Sequence, residues 1–365
     1  MVVENNMQYS SSVNPKKFVR NGYIDFLKGL TMLLVILGHA LQYGNGMSFL
    51  TEEIYWDNLM MKVIYSFHMP LFISVSGYLF YFSVKRNGLH KSIWKRFKVL
   101  IPVCSGWAVI LMMKAFISGA SPSGLTAVCK SFFIYFITDF WFFWSILAAV
   151  CCMGLVEPIV KRFKKLGGVM YLVIFIAFFF TPDSFWLGAH KFMIPFFIGS
   201  FYVAKYHKNI QCHPILLLIL TLSWLILLSF YSKDTYIYTT GITLLSKNYP
   251  LEQIAINFYR WGIGAVGVIS FVYFTKWIYH LDKEINICSV PSFFNTMIEY
   301  VGKNSIRYYI LSSYIFVWFV PVVTRSFTLN YLITFIEVVL MCVFCEAASR
   351  ILVKSEWATK FIIGR

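Results

Sequence analysis

The sequence predicts an all-α fold: a polytopic membrane helix bundle of about ten transmembrane helices, both termini cytoplasmic. Three observations predict it. First, 59% of the residues are hydrophobic and 13% are charged, whereas a soluble domain is about 45–50% apolar and about 25% charged. Mean hydropathy is +0.68. Second, apolar runs near the length needed to cross a bilayer recur along the chain. They lie at roughly 23–43, 58–83, 97–118, 131–156, 168–181, 189–205, 214–231, 254–279, 304–324 and 330–353. Third, the basic residues cluster in alternate connections between these runs, as the positive-inside rule requires.

Taken in order, residues 1–22 carry Lys16, Lys17 and Arg20 and read as a cytoplasmic amino-terminal segment. The first apolar run is of full span length with no small-residue cleavage site, unlike a cleavable signal peptide. The next connection holds Glu52, Glu53 and Asp57 and falls outside. After the second run come Lys85, Arg86, Lys91, Lys95, Arg96 and Lys98, and after the fourth Lys161, Arg162, Lys164 and Lys165. The sixth run is followed by Lys205 and Lys208, and the eighth by Lys276, Lys283 and Lys303. Asp183 and Arg325 stand in lightly charged connections, and the longest outer one, about 232–253, is polar and rich in tyrosine. Residues 23–354 form one membrane domain, and 355–365 a cytoplasmic tail with Lys360 and Arg365.

The net charge of +16 is accounted for by these loop clusters. No nucleic-acid recognition module accompanies it. Cys342 and Cys345 have the spacing of a metal or redox pair but sit within an apolar run. They read as small buried hydrophobes, and no metal site is expected.

Ionisable groups at membrane depth are costly and mark function by default. The first run carries Asp25, Lys28 and His39. At about 100° per residue, Lys28 lies about 60° from Asp25 and His39 falls between them, so all three share one stripe. His39 is the side chain suited to proton transfer near neutrality. Lys28 alone has a plain alternative, snorkelling to the interface. The second run carries His68, followed by Pro70, Ser74, Ser76 and Gly77. The proline favours a kink beside a cavity, and His68 is expected to share that cavity with His39. Arg96 and Lys98 serve either as a positive-inside anchor or as a basic lip for phosphates. Trp141 and Trp144, in FWFFW, read as an aromatic belt or as rings for stacking on a sugar or adenine. Arg307 lies one turn into the ninth run, behind the capping residues Asn304 and Ser305.

These pieces, in this order, resemble acyltransferase family 3, the integral membrane O-acyltransferases, and especially its fucose 4-O-acetylase-like branch. The matching features are Asp25, then Lys28 and, after ten intervening residues, His39, then FHMPLFISVSGYLF, WKRFKVLIP, FWFFW, HKFMIPFFIGSFY, VGKNSIRYYIL and KFIIGR. The resemblance covers nearly the whole chain and is carried by the ordered set. It implies transfer of an acetyl or other acyl group from cytoplasmic acetyl-CoA to a hydroxyl of a cell-envelope polysaccharide, glycolipid or lipid-linked saccharide. The protein would then sit in a bacterial inner or plasma membrane. His39 would be the essential base, with Asp25, Lys28 and His68 beside it. Arg96, Lys98, Arg307 and Lys28 would hold the phosphates of CoA, and Ser76, Trp141 and Trp144 would contact substrate. Two departures stand out: Lys28 where much of the family has Arg, and Ser312 where many members have His. The competing class is a multi-span polysaccharide or solute transporter with His39 and His68 as a proton relay, which the lack of internal repeats disfavours.

Overall fold

The computed structural model describes residues 21–44, 53–119, 124–206, 213–245, 247–284, 289–323 and 331–364. Every regular element among them is helical. Seven helices are long and apolar enough to cross a membrane, and three shorter apolar ones accompany them. The chain is a multi-pass membrane protein. Lys16, Lys17, Arg20, Lys208 and Arg325 lie outside the described residues.

Helix α1, Gly22–His39, is capped by the Asn21 side chain on the Tyr23 N–H. It runs directly into a π-helical turn, Ala40–Gly44. Such turns are uncommon and recur at functional sites; here the change of pitch begins at the residue after His39. A short α2, Glu53–Asp57, leads to α3, Leu59–Asn87, which contains Pro70. Gly88, at φ 79°, separates it from α4, Leu89–Ile117. Thus α3 and α4 are joined by one residue and run back to back.

The fourth apolar run does not form one helix. Residues Leu125–Thr138 make α5, and α6 begins only at Trp141 and continues to Arg162. Asp139 and Phe140 break the run, and the Trp144 indole donates to the Phe136 carbonyl at 2.8 Å, folding α6 back on α5. The predicted start near residue 131 is corrected accordingly. There follow α7, Lys164–Ala177, α8, Leu187–Tyr206, α9, Pro214–Leu228, a one-turn α10, Ile237–Thr240, and α11, Pro250–Glu284. Where a loop was expected, Ser289–Lys303 forms α12. Helices α13, Ser305–Val323, and α14, Tyr331–Leu352, correspond to the last two runs. A final short helix, α15, spans Glu356–Phe361.

Helix α12 crosses α1 with backbones in contact. A Cβ on Gly29 would meet the Ile298 carbonyl oxygen at 1.9 Å, and one on Gly302 would meet that of Asp25 at 1.7 Å. Only glycine permits this approach. The crossing brings Lys28, next to Gly29, and Lys303, next to Gly302, to one end of the bundle. Around it, Met32, Val35, Ile36, Ile73, Phe142, Met153, Phe197 and Ile310 belong to one continuous apolar core.

Candidate functional site

The most informative feature is a cavity of about 260 Å³. It is lined by Lys28, Ser76, Arg96, Lys303, Asn304, Ser305 and Arg307, with Phe72, Val75, Leu79, Leu100, Phe142, Phe143, Ile146, Ile306, Tyr309, Ile363 and Gly364. Five helices supply its polar lining. Lys28 comes from α1, Ser76 from α3 and Arg96 from α4, Lys303 ends α12, and Arg307 stands in the first turn of α13. The cavity therefore has a cationic end, at the first turn of α13, and an aromatic end. At the aromatic end Phe72 stacks on Phe142 with ring centres 5.0 Å apart, and Tyr309 lies 5.6 Å from Phe142 and 5.2 Å from Phe143.

Three of the four cations are held from outside the cavity. Lys28 pairs with the buried Asp25 carboxylate at 3.7 Å. Arg307 Nη1 donates to Ser349 Oγ at 3.1 Å. Lys303 reaches Glu299 at 3.4 Å, and the same carboxylate accepts from Tyr279. The Ser76 hydroxyl donates back to the Phe72 carbonyl at 3.0 Å.

The two histidines sit beyond the aromatic end. His68 is four residues from Phe72, about 6 Å along the helix axis. Neither histidine lines the cavity. His68 Nδ1 lies 2.7 Å from the Ile64 carbonyl. A carbonyl only accepts, so Nδ1 carries the hydrogen and Nε2 of the neutral ring is left as an acceptor. Tyr65 packs its edge on His68 at 4.9 Å. Its hydroxyl donates to Gln42 Oε1 at 2.9 Å and lies 3.2 Å from the Gly38 carbonyl. That bond ties the histidine-bearing segments of α1 and α3 together. His39 faces Tyr43 across 6.2 Å.

This second end is closed by packing. Tyr65 touches Tyr236, which touches Trp56 and Tyr238, and Tyr238 touches Trp141 and Trp186. The covering segment is pinned by the buried Arg260, whose guanidinium donates to the carbonyls of Asp234, Thr235 and Gly241 at 2.9, 2.6 and 2.6 Å and to the Thr240 hydroxyl. It is pinned again by Asp183, which accepts from the N–H groups of Ile242 and Thr243 at 2.7 and 2.8 Å and from Lys191 at 2.8 Å.

Of the residues singled out from sequence, Lys28, Ser76, Arg96 and Arg307 converge on the cavity. Asp25 stands behind Lys28. Lys98 faces outward, exposed, with its ammonium 5.6 Å over the Trp94 ring. Trp141 belongs to the aromatic cover and Trp144 to the α5–α6 contact. Ser312 is buried, its hydroxyl turned to the Tyr309 carbonyl at 3.4 Å.

Sequence reasoning missed the cavity roles of Lys303, Asn304 and Ser305. Their signal was present: Lys303, Asn304, Ser305 and Arg307 crowd one helix junction, and Arg307 stands in a first turn, where the dipole ordinarily disfavours a cation. It also missed a buried pair, Ser145 and His190, whose Oγ and Nδ1 lie 2.8 Å apart and link α6 to α8.

A family model for the acyltransferase domain matches residues 21–349. Nodulation protein NolL of Sinorhizobium fredii is 32% identical over 126 residues, 34% of this chain and 33% of that protein. Nodulation protein NolL of Mesorhizobium japonicum is 26% identical over 241 residues, 64% of this chain and 62% of that protein. The chain thus aligns with less than two thirds of either relative's length. No solved structure matches. With nearly the whole membrane bundle inside the matched region, the chain belongs to acyltransferase family 3.

Proposed function

We propose that this chain is a membrane O-acyltransferase. It takes an acyl group, acetyl in the simplest case, from an acyl-CoA entering at the cytoplasmic face and passes it to a hydroxyl of a cell-envelope polysaccharide or glycolipid. The observation that carries the reading is the cationic end of the cavity, where Lys28, Arg96, Lys303 and Arg307 gather at the start of α13. Cations gathered round one space repel each other, and Arg307 stands in addition at the positive end of the α13 dipole. An anion relieves that repulsion, and backbone N–H groups at a helix start suit phosphate oxygens. Arginine adds a planar fork for them, and Lys28 a point charge. The 3′-phosphate and pyrophosphate of CoA are such anions. The acyl-bearing arm then runs along Val75 and Ser76 toward Phe72.

On this reading His39 is the general base. A ring nitrogen takes the proton of the acceptor hydroxyl, and the oxygen attacks the thioester carbonyl. The C–O bond forms, the C–S bond breaks, and the CoA thiolate leaves to be protonated in turn. His68, with Nε2 free to accept, is placed to share that proton. Asp25 holds Lys28 in position. The glycan or lipid-linked saccharide approaches from the His39 end, where Trp141 offers a ring to a sugar face. The protein then lies in a bacterial inner or plasma membrane with both termini cytoplasmic.

The test uses purified protein in lipid discs with acetyl-labelled CoA and lipid-linked glycans extracted from the host. Label appearing as ester on a glycan supports the reading. Folded protein that labels no glycan, together with unchanged acetylation of host glycans when the gene is deleted, overturns it.

A further inference from the structure

The segment after α14 does not hang free as a tail. It turns at Ser355, whose hydroxyl accepts from the Ala358 N–H to cap α15. The chain beyond α15 then wedges between α4 and α13, the two helices that carry Arg96 and Arg307. On the α4 side the Trp107 indole donates to the Ile362 carbonyl at 3.0 Å. Gly106 lets the strap lie against the helix backbone: a Cβ there would meet the Phe361 carbonyl oxygen at 2.2 Å. On the α13 side, Gly364 adopts φ 71°, and a Cβ on it would lie 3.1 Å from Val103 of α4 and 3.3 Å from Ile306 of α13. Ile363 is fully buried. Trp107 closes the arrangement by stacking flat on Tyr314 of α13, ring centres 4.0 Å apart at 3°. Ile363 and Gly364 themselves form part of the cavity wall.

We infer that residues 361–364 are a strap that sets the spacing of α4 and α13, and with it the spacing of the arginines that bind the donor's phosphates. The inference rests on the proposed donor site. Ile363 and Gly364 are donor-contacting wall. Trp107 and Gly106 are positioning residues that act through the strap. The physical reason is that interactions with ionised partners are short and geometrically demanding. Two guanidinium groups on separate helices bind one polyphosphate well only if the helices hold a fixed distance. The strap touches both helices, at Gly106 and Trp107 of α4 and at Ile306 of α13.

The experiment measures CoA binding to the purified full-length chain by calorimetry, and donor KM with kcat in the transfer assay, for wild type, Trp107→Phe, Gly106→Ala and Arg96→Ala. Trp107→Phe keeps the ring on Tyr314 and removes the N–H. Gly106→Ala pushes the strap off α4. Both are expected to weaken CoA binding and raise donor KM roughly tenfold, about 1.4 kcal/mol. Turnover at saturating donor and acceptor KM stay within about twofold. A simple loss of folding would lower the active fraction and leave the Kd of the remainder unchanged. If wild type binds CoA and Arg96→Ala does not, while both strap variants bind as wild type does, the strap inference is overturned and the donor site stands. If wild type itself binds no CoA, the donor site is overturned.

Discussion

The two ends of the membrane bundle differ in how they treat polar groups. At the Lys28 end, Lys28, Arg96, Lys303 and Arg307 face an open cavity of about 260 Å³. At the His39 end, Arg260, Asp183 and Lys191 are equally polar but are spent on backbone carbonyls, backbone N–H groups and each other, and tyrosine and tryptophan rings fill the remaining space. Buried charge alone does not mark a ligand site. What marks it is charge directed at space rather than at the protein's own backbone. In the proposed reaction the donor therefore meets a preformed site, and the acceptor meets a packed cover that must part.

The largest effect is expected for His39→Ala. Loss of a general base costs roughly 10²–10⁴ in rate, so acyl transfer should fall by that order while calorimetric CoA binding is retained. Next comes the double change Arg96→Ala with Arg307→Ala. A hydrogen bond to a charged group is worth about 1.5–3 kcal/mol. CoA affinity should therefore drop about a hundredfold or more, and the residual binding should depend less on salt. Arg260→Ala addresses the closed end. It removes the Arg260 donor from the Thr235 carbonyl, at about 1–3 kcal/mol if that group stays buried, while the carbonyls of Asp234 and Gly241 keep Thr240 and Gln253 as donors. The thermal midpoint in detergent should fall while the CoA dissociation constant moves less than about twofold. The smallest effect is expected for Lys98→Ala. Its exposed ammonium over Trp94 is a surface cation–π contact worth about 0.5–1 kcal/mol, and donor KM should stay within about twofold. A tenfold rise there would mean that the donor's phosphates extend beyond the cavity.

Much of the fold was legible in the sequence, because bilayer thickness imposes a length scale that hydropathy reads directly. Each predicted run falls on helical residues, the fourth on two helices rather than one. The errors have a common cause. Asp139 and Phe140 interrupt a run whose average remains apolar, so a window sees one span where there are two helices. Helix α12 is short and carries Asn295, Glu299 and Lys303, so a window sees a loop. Its packing on α1 depends on Gly29 and Gly302 meeting across more than 250 residues of chain, which no local pattern encodes. The site was partly legible for the same reason. Charges inside an apolar run stand out singly, and Lys28, Arg96 and Arg307 did so. Which of them share a cavity is decided by helix rotation and crossing. Arg96 and Lys98 differ by two positions, about 200° around α4, so one lines the cavity while the other looks outward. That Phe72, Phe142 and Tyr309 wall the cavity while neither histidine lines it is a matter of packing between helices and left no trace in composition.

The claim that the donor occupies the Lys28 cavity is tested most directly by ligand protection at its wall. Ser76 lines the cavity beside Val75 and Leu79, and Cys129 is exposed on α5 and serves as an internal reference. In a Ser76→Cys variant, alkylation at both positions is followed by mass spectrometry with and without acetyl-CoA, whose thioester carries no competing thiol. Slower modification at position 76 with acetyl-CoA present, and an unchanged rate at Cys129, is the result predicted. Equal rates at position 76 under saturating acetyl-CoA would contradict it.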